Sequence, residues 1–296
     1  MKWAGVISAM TTAFKPDYSV DLAFVARHAQ WQIENGCHGI VAPGSLGESA
    51  TLSFDEKVAI LKTLVGALDG KPVVAGIASL STAEAVNLAQ AAAQAGCAGL
   101  LVLPPYVYAS DWREMKAHVQ AVIGATGLSC MLYNNPPAYK TDFLPPQIAE
   151  LAAEHANLHA VKESSGDVRR VTALKALCGD RLALFVGLDD VVVEGARAGA
   201  VGWIGGVTNA LPRECMDLYH CALKGETARA DALYSWLLPL LRMDCHVKFV
   251  QYIKLIQKEV GMGDERVRGP RLPLAGAERV AALKAIKSVL AVRPKI

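Results

Sequence analysis

The sequence predicts an α/β protein, a closed (β/α)8 TIM barrel with a small C-terminal helical extension. Short apolar runs alternate with amphipathic stretches, and a Gly-x-x-Gly repeat joins several of them. The 296 residues exceed the about 250 of a typical barrel, and 52% of them are apolar, enough to fill a large core. A doubly wound open sheet is the alternative, but no G-x-G-x-x-G follows the first strand.

Eight apolar runs are the candidate strands. Each is short, and each carries the continuous hydrophobicity of a parallel strand that is covered on both faces. In chain order they are GVISAM (5–10), GIVAPG (39–44), PVVAGIA (72–78), GLLVLPP (99–105), LSCMLYN (128–134), LHAVKE (158–163), LALFVGL (182–188) and VGWIGG (201–206).

Amphipathic stretches lie between these strands. In residues 21–35, apolar side chains recur at spacings of four, three and four, which places them on one face of a helix. A serine followed three residues later by a glutamate predicts the start of two more helices, at Ser53 with Glu56 and at Ser81 with Glu84. This is the capping-box pattern of a helix N-terminus.

The Gly-x-x-Gly repeat occurs at residues 36–39, 96–99 and 199–202. Each copy ends a predicted helix and opens a predicted strand, and its first glycine suits a left-handed C-terminal helix cap. A repeated unit of strand and helix indicates parallel strands with helical crossovers.

About 90 residues follow the eighth strand, more than one crossover helix requires. We therefore divide the chain into a catalytic barrel at 1–224 and a C-terminal helical domain at 225–296. The segments with helical patterns are 211–223, 226–241, 247–259 and 276–290.

Composition excludes several classes of function. The 30 basic and 28 acidic residues leave a net charge of +2 without a block of one sign, so we expect no nucleic-acid partner. The N-terminus lacks a signal-peptide pattern, and no apolar run is long enough for a membrane span. Seven scattered cysteines without C-x-x-C or zinc-ligand spacing indicate a cytoplasmic protein that binds no metal.

Lys162 ends the sixth strand, where a lysine is unexpected because it is costly to bury. Active sites of barrels lie at these carboxyl ends of strands. A partly desolvated lysine loses its proton more readily, and the neutral amine forms Schiff bases with carbonyls or imines. A structural ion pair, for example with Glu163, explains the position equally well.

Other strand ends supply possible partners. Tyr133 ends the fifth strand and would transfer protons, although a core aromatic whose hydroxyl meets the backbone is the alternative. The glycines of Gly44-Ser45-Leu46-Gly47-Glu48-Ser49 would let amides approach a carboxylate. Residues 104–108, PPYVY, are an aromatic lip or a turn, and Gly205-Gly206 leaves room for a ligand.

Three of these motifs, in register, resemble the dihydrodipicolinate synthase and N-acetylneuraminate lyase family of Schiff-base barrels. Gly44-Ser45-Leu46-Gly47-Glu48 resembles its G-[ST]-T-G-E loop. Tyr133-Asn134-Asn135-Pro136 resembles its Y-N-x-P, and Val161-Lys162-Glu163-Ser164-Ser165 its strand-six lysine motif. Family members condense or cleave 2-keto acids without a metal or organic cofactor and carry a C-terminal helical domain, so the resemblance implies no cofactor here.

The resemblance also implies roles for single residues and a homotetramer. Lys162 would be the Schiff-base lysine, Tyr133 the proton relay, and Tyr106 an aromatic that family tetramers lend to a neighbouring subunit. Ser45 and the amides of Leu46 and Gly47 would hold the carboxylate, and Ile204 would offer a carbonyl at the floor. The predicted substrate-binding set is Ser45, Leu46, Gly47, Ile204, Gly187 and Asn135.

Two departures point away from the synthases. The second threonine of the loop is Leu46, and the arginine that binds the second substrate's carboxylate in synthases is Ala138, with only Lys140 nearby. Several phrases are similar to 1-pyrroline-4-hydroxy-2-carboxylate deaminases, which release ammonia and 2,5-dioxopentanoate. These are YNNPPAYKTDF, VKESSGDVRRVT, LLPLLRMD, KFVQYIKL and RGPRLPLAGAER.

Alternative functions remain open from the sequence. A 2-keto-3-deoxy sugar acid aldolase or dehydratase, or an N-acetylneuraminate lyase, would use Asp189 and Asp190 to bind sugar hydroxyls, unless these residues cap the next helix. The 4-hydroxy-tetrahydrodipicolinate synthase reaction is a further alternative. A non-catalytic barrel that binds a metabolite belongs to a different class.

Overall fold

The computed structural model describes residues 1–105 and 108–294. Eight parallel strands close into one barrel in chain order, so the predicted (β/α)8 fold is confirmed and the open-sheet alternative is wrong. The strands are β1 (Gly5–Ala9), β2 (Gly39–Ala42), β3 (Val73–Ile77), β4 (Gly99–Val102), β5 (Ser129–Asn134), β6 (Leu158–Glu163), β7 (Ala183–Val186) and β8 (Gly202–Gly205). Pairing of β1 with β8 closes the barrel.

Helices surround the strands. The α-helices up to the end of the barrel are α1 (Leu22–Glu34), α2 (Phe54–Ala67), α3 (Thr82–Gln94), α4 (Trp112–Gly124), α5 (Pro136–Tyr139), α6 (Pro145–Glu154), α7 (Arg169–Cys178), α8 (Val192–Arg197) and α9 (Pro212–Lys224). Among the described residues, three 3₁₀ helices lie in loops at the carboxyl ends of strands: η1 (Ser49–Thr51), η2 (Asp189–Val191) and η3 (Val207–Asn209). Over the described residues, no helix has the length and apolar character needed to cross a membrane.

The predicted helix boundaries follow from the caps. Ser53 accepts from the Glu56 amide at 3.2 Å and its own amide donates to the Glu56 carboxylate at 2.9 Å, which completes a capping box. Ser81 accepts from the Glu84 amide at 3.2 Å. The first glycines of the repeat adopt the positive φ that a side chain resists: +104° at Gly36, +88° at Gly96 and +105° at Gly199.

Alternation along the strands divides the core into two layers. In β2, Ile40 and Ala42 pack outward under the helices, whereas Val41 points into the barrel. The same alternation in β6 sends Ala160, and with it Lys162 two residues later, into the barrel. The strand pattern therefore aims the lysine at the interior.

Three helices follow the barrel and match the predicted extension: α10 (Thr227–Asp244), α11 (Phe249–Glu259) and α12 (Gly276–Ala291). α10 packs against α9, α11 and α12. α11 reaches the barrel mouth, where Lys254 Nζ lies 2.5 Å from Glu48 Oε1 and Gln257 Oε1 accepts from Thr11 Oγ1 at 2.9 Å. The extension therefore forms part of the rim around the strand ends.

Candidate active site

A cavity of about 440 Å³ opens at the carboxyl ends of the strands. Apolar side chains such as Val41, Leu101 and Leu103 line much of its wall, and Lys162 and Tyr133 lie within it. A mostly apolar cavity with a few convergent polar groups is typical of a small-molecule site.

Lys162 is the buried amine of this cavity, with 6% of the residue exposed. Its Nζ lies 4.2 Å from the centroid of the Tyr133 ring, and the two residues are paired across β5 and β6. Across residues 1–105 and 108–294, no carboxylate forms an ion pair with Lys162. Glu163 points to the opposite face and accepts from Asn134 Nδ2 at 3.2 Å and the Ser165 amide at 2.7 Å, so the predicted alternative of a Lys162–Glu163 ion pair is wrong.

Gly187 follows β7 and provides the space that the lysine occupies. A Cβ added at this position would lie 2.5 Å from Lys162 Cε and 1.9 Å from Ser164 Oγ, well inside contact distance. Any larger residue would displace the lysine. Gly187 thus lines the cavity and shapes the course of Lys162, and its role in substrate binding stays a prediction.

Tyr133 is 5% exposed, and its hydroxyl accepts from Asn135 Nδ2 at 2.8 Å. The alternative in which this hydroxyl meets the backbone is therefore wrong. Asn135 Oδ1 also accepts from the Ala138 amide at 3.1 Å and caps α5. The Tyr139 ring packs edge-to-face on the Tyr133 ring, with centroids 5.8 Å apart. Tyr133 is held by two residues from the loop that follows its own strand.

The loop between β2 and η1 forms a second wall. Ser45, Leu46 and Gly47 all line the cavity, and Ser45 Oγ hydrogen-bonds the Tyr139 hydroxyl. The turn is closed by the Ser49 amide, which donates to the Gly44 carbonyl at 3.2 Å. The amides of Ser45, Leu46 and Gly47 have no acceptor within the described chain, so this turn offers several free N–H donors to an anion.

The other residues predicted for the site, and the two positions compared with the synthase arginine, are placed as follows. Ile204 is buried on β8 and lines the cavity, whereas Tyr106 lies outside the described residues. Ala138 lines the cavity as well. Lys140 is exposed, and its Nζ donates to the Pro137 carbonyl at 3.1 Å, so it does not replace an arginine at position 138.

Tyr139, Asp244 and Arg271 are among the cavity residues that sequence reasoning missed. Tyr139 was within reach, because it is the second aromatic in the phrase that contains Tyr133. Arg271 enters the cavity from the segment between α11 and α12, and Asp244 enters from the C-terminal end of α10. Both stand in phrases quoted above for the deaminase resemblance, LLPLLRMD and RGPRLPLAGAER, but those phrases do not place them at the cavity, because their proximity to Lys162 depends on how the C-terminal helices pack.

Asp189 and Asp244 form a pair of carboxyl groups at the end of β8. Asp189 is fully buried and accepts from Trp203 Nε1 at 2.9 Å, the Gly206 amide at 3.0 Å and the Val207 amide at 2.8 Å. It therefore caps η3 and neither η2 nor α8, so the prediction that it caps the next helix is wrong, and its carboxylate is fully buried. Burial raises the pKa of both carboxyl groups, and their mutual hydrogen bond and repulsion raise the pKa of Asp244 further.

Within the described part of the chain, no cluster of three or more His, Cys, Asp or Glu side chains forms a metal site.

Comparison with known proteins identifies relatives over the whole chain. The family model described as the dihydrodipicolinate synthetase family matches residues 2–289. A 4-hydroxy-tetrahydrodipicolinate synthase of Pelobacter propionicus is 32% identical over 289 residues, covering 96% of this chain and 98% of the relative. That of Agrobacterium fabrum is 34% identical over 285 residues, covering 95% of this chain and 97% of the relative.

Solved structures agree with the fold. A dihydrodipicolinate synthase of Bacillus anthracis superimposes with a TM-score of 0.93 at 27% identity and covers 100% of both chains. One of Acinetobacter baumannii, solved in complex with pyruvate, gives a TM-score of 0.92 at 28% identity and covers 98% of this chain and 99% of the other.

Proposed function

Because the chain belongs to the dihydrodipicolinate synthetase family of Schiff-base-forming lyases, we propose that it deaminates 1-pyrroline-4-hydroxy-2-carboxylate through a covalent adduct on Lys162. The observation that carries this proposal is the arrangement around Lys162. A buried amine that forms no ion pair with any described carboxylate lies beside the Tyr133 ring, and the same cavity contains the loop after β2, whose amides have no acceptor among the described residues. Ala138 stands where the resembling synthases carry an arginine, and the phrase similarities favour the deaminases.

The substrate is a cyclic imine with one carboxylate. The amides of Leu46 and Gly47, with the Ser45 hydroxyl, bind that carboxylate and place the imine carbon C2 near Lys162. The Lys162 amine adds to C2, the bond from C2 to the ring nitrogen breaks, and an open-chain Schiff base remains on the enzyme. The freed nitrogen stays on C5 as an amine.

Tyr133 then exchanges protons with the carbon next to C2. Its oxygen, positioned by Asn135 at 2.8 Å and left as a phenolate once its proton has passed to the departing ring nitrogen, takes a proton from C3 so that an enamine forms. The hydroxyl on C4 leaves as water, the double bonds shift toward C5, and hydrolysis at C5 and C2 frees ammonia and 2,5-dioxopentanoate. Substrate and one water molecule balance the two products.

The test is borohydride trapping with pyruvate and, separately, with the hydroxypyrroline carboxylate, followed by mass spectrometry and an ammonia assay. We expect both compounds to label the peptide that contains Lys162, and the imine to release equimolar ammonia. Lys162→Arg is the control and should give no adduct. Tyr133→Phe should keep the pyruvate adduct but lose about 10²- to 10⁴-fold in ammonia release. Absence of ammonia from the wild type contradicts the deaminase assignment.

The synthase reaction is the second candidate, because the curated relatives named above carry that name. Arg271 favours it, since this side chain lines the cavity and offers a second cation for a carboxylate. An assay with pyruvate and aspartate semialdehyde decides between the two. Condensation at a rate above ammonia release would replace the deaminase assignment with the synthase.

A further inference from the structure

The carboxyl pair of Asp189 and Asp244 lies one strand away from Lys162 on the cavity rim. Lys162 packs on Gly187, just after β7, and Asp244 packs on Gly206, just after β8, where an added Cβ would lie 1.9 Å from its Oδ1. β7 and β8 are neighbours, and neighbouring strands are about 4.8 Å apart. Asp244 lines the cavity together with Lys162. A ligand bound covalently to Lys162 therefore shares one cavity with Asp244.

The two carboxyl groups have unequal surroundings. Asp189 receives three N–H donors, which stabilise its negative charge. Asp244 hydrogen-bonds Asp189, and within the described residues no N–H donor bonds its carboxyl group and no cation forms an ion pair with it, although the nearby Lys162 charge lowers the pKa of both carboxyl groups. Asp189 is fully buried and Asp244 is half-buried, and two carboxyl groups so close together do not both ionise, so the pair shares one proton and Asp244, which lacks the N–H donors of Asp189, carries it. Burial raises the pKa of Asp244 well above its ordinary value, which agrees with this assignment.

We infer that Asp244 is a further catalytic residue, the general acid that protonates the departing hydroxyl, with Asp189 as the positioning residue that orients it. The inference rests on the proposed deaminase function and deepens it. Tyr133 is on β5, on the side of Lys162 away from β7, and it exchanges protons with C3 of the substrate. Asp244 is on the side toward β8, and C4 lies farther along the substrate than C3.

The step balances in protons and electrons. In the enamine, the lone pair on the Lys162 nitrogen forms the iminium, the C2–C3 double bond moves to C3–C4, and the C4–O bond breaks. The proton of Asp244 passes to the leaving oxygen, and water departs. The carboxyl pair, now without a proton, takes one from C5 as the next double bond forms between C4 and C5. This returns the pair to its starting state.

The experiment compares Asp244→Asn with the wild-type protein. Asparagine preserves the shape but cannot donate a proton of the required acidity. We expect the pyruvate adduct at the wild-type level, ammonia release lowered at least about hundredfold, and a borohydride-trapped imine adduct that retains the hydroxyl by mass. Asp231→Asn, at an exposed carboxylate on the same helix that pairs with Arg197 at 2.8 Å, is the matched control and should match the wild type.

A substrate analogue separates acid catalysis from a structural role. Fluoride leaves without a proton, so the 4-fluoro analogue should restore fluoride release by the Asp244→Asn variant to within about tenfold of wild type. Asp189→Asn removes the carboxylate that hydrogen-bonds Asp244, so it should slow ammonia release and leave the pyruvate adduct unchanged. This second variant tests the same inference if Asp244→Asn does not fold.

Three outcomes overturn the inference. They are ammonia release by Asp244→Asn within a few-fold of wild type, loss of its pyruvate adduct together with activity, and fluoride release that stays as low as ammonia release. Wild-type protein that forms a pyruvate adduct but no ammonia overturns the deaminase function itself, and the inference with it. Ammonia release by the wild-type protein, with equal release by Asp244→Asn and Asp189→Asn, overturns the inference but leaves the deaminase function standing.

Discussion

The Asn135 side chain makes two hydrogen bonds, one to the Tyr133 hydroxyl and one that caps α5. Its amide nitrogen donates to the Tyr133 hydroxyl at 2.8 Å, and its amide oxygen caps α5 at 3.1 Å. The residue occupies the variable position of the family's Y-N-x-P motif, so an asparagine is not required there by the motif itself. With Leu46 in place of a threonine in the neighbouring loop, Asn135 supplies the side-chain hydrogen bond to the phenol.

We predict that the two contacts of Asn135 can be separated. Asn135→Asp keeps the cap and replaces the donor by an acceptor, so it should slow ammonia release about tenfold with little loss of stability. Asn135→Ala should slow it similarly and also cost about 1 kcal/mol of unfolding free energy through the lost cap. Steady-state kinetics and urea unfolding measure the two effects. Wild-type rates for both variants would show that Asn135 does not position the phenol.

At the scale of elements, a buried ion pair joins α11 to the loop after β2. Lys254 and Glu48 have side chains that are 3% and 0% exposed, and Glu48 Oε2 also accepts from the Arg268 amide at 2.9 Å. Burial lowers the pKa of Lys254, and the Glu48 charge opposes that change. The pair fixes the helical extension against the predicted anion-binding loop.

We therefore expect Glu48→Gln to destabilise the protein by about 3–5 kcal/mol, because it leaves the Lys254 charge buried without a partner. Asp180→Asn is the matched control, since it breaks the exposed pair with Lys175 and should cost less than about 1 kcal/mol. Urea unfolding of the three proteins measures the difference. Equal effects of the two substitutions would contradict the account of the buried pair.

At the scale of the whole molecule, a buried polar seam closes the barrel where its first and last units meet. Ser8 Oγ and Thr208 Oγ1 lie 2.8 Å apart, and Gln32 Nε2 donates to Ser8 Oγ at 2.9 Å. His28 on α1 contacts the Asn209 carbonyl on η3 at 2.9 Å through Nε2. The seam makes the closure of the barrel sensitive to the charge of a single histidine.

Burial lowers the pKa of His28 from 6.5 to about 4. The folded protein thus binds this proton less readily than the unfolded chain, so the contribution of neutral His28 is complete above pH 6.5 and is lost as the pH falls toward about 4. The loss is about 3 kcal/mol. His28→Gln keeps a donor for Asn209 and removes the titration, so its unfolding free energy should fall less across that interval. His220→Gln, at an exposed histidine, is the control. Parallel curves for wild type and His28→Gln would contradict this prediction.

Quaternary structure and location belong to the same scale. The homotetramer, the contribution of Tyr106 to a neighbouring subunit, the cytoplasmic location and the domain boundary after residue 224 stay predictions. Sedimentation of the purified protein would measure the subunit count directly.

Local patterns determined much of this protein. Strand and helix positions follow from alternating apolar runs and caps such as Ser53, because these signals act within a few residues along the chain. Lys162 and Tyr133 were identified for the same reason, since each ends a strand and barrels gather strand ends at one mouth.

Tertiary packing decided the rest. The sequence left open whether Lys162 pairs with Glu163, and strand alternation in the closed barrel separated the two side chains. Asp189 was placed as a helix cap or a sugar ligand, whereas the structure buries it against Trp203 and Asp244. Asp244 and Arg271 reach the cavity from beyond the barrel. Their proximity to Lys162 is a contact between residues far apart in the chain, and such contacts exist only after the helices have packed.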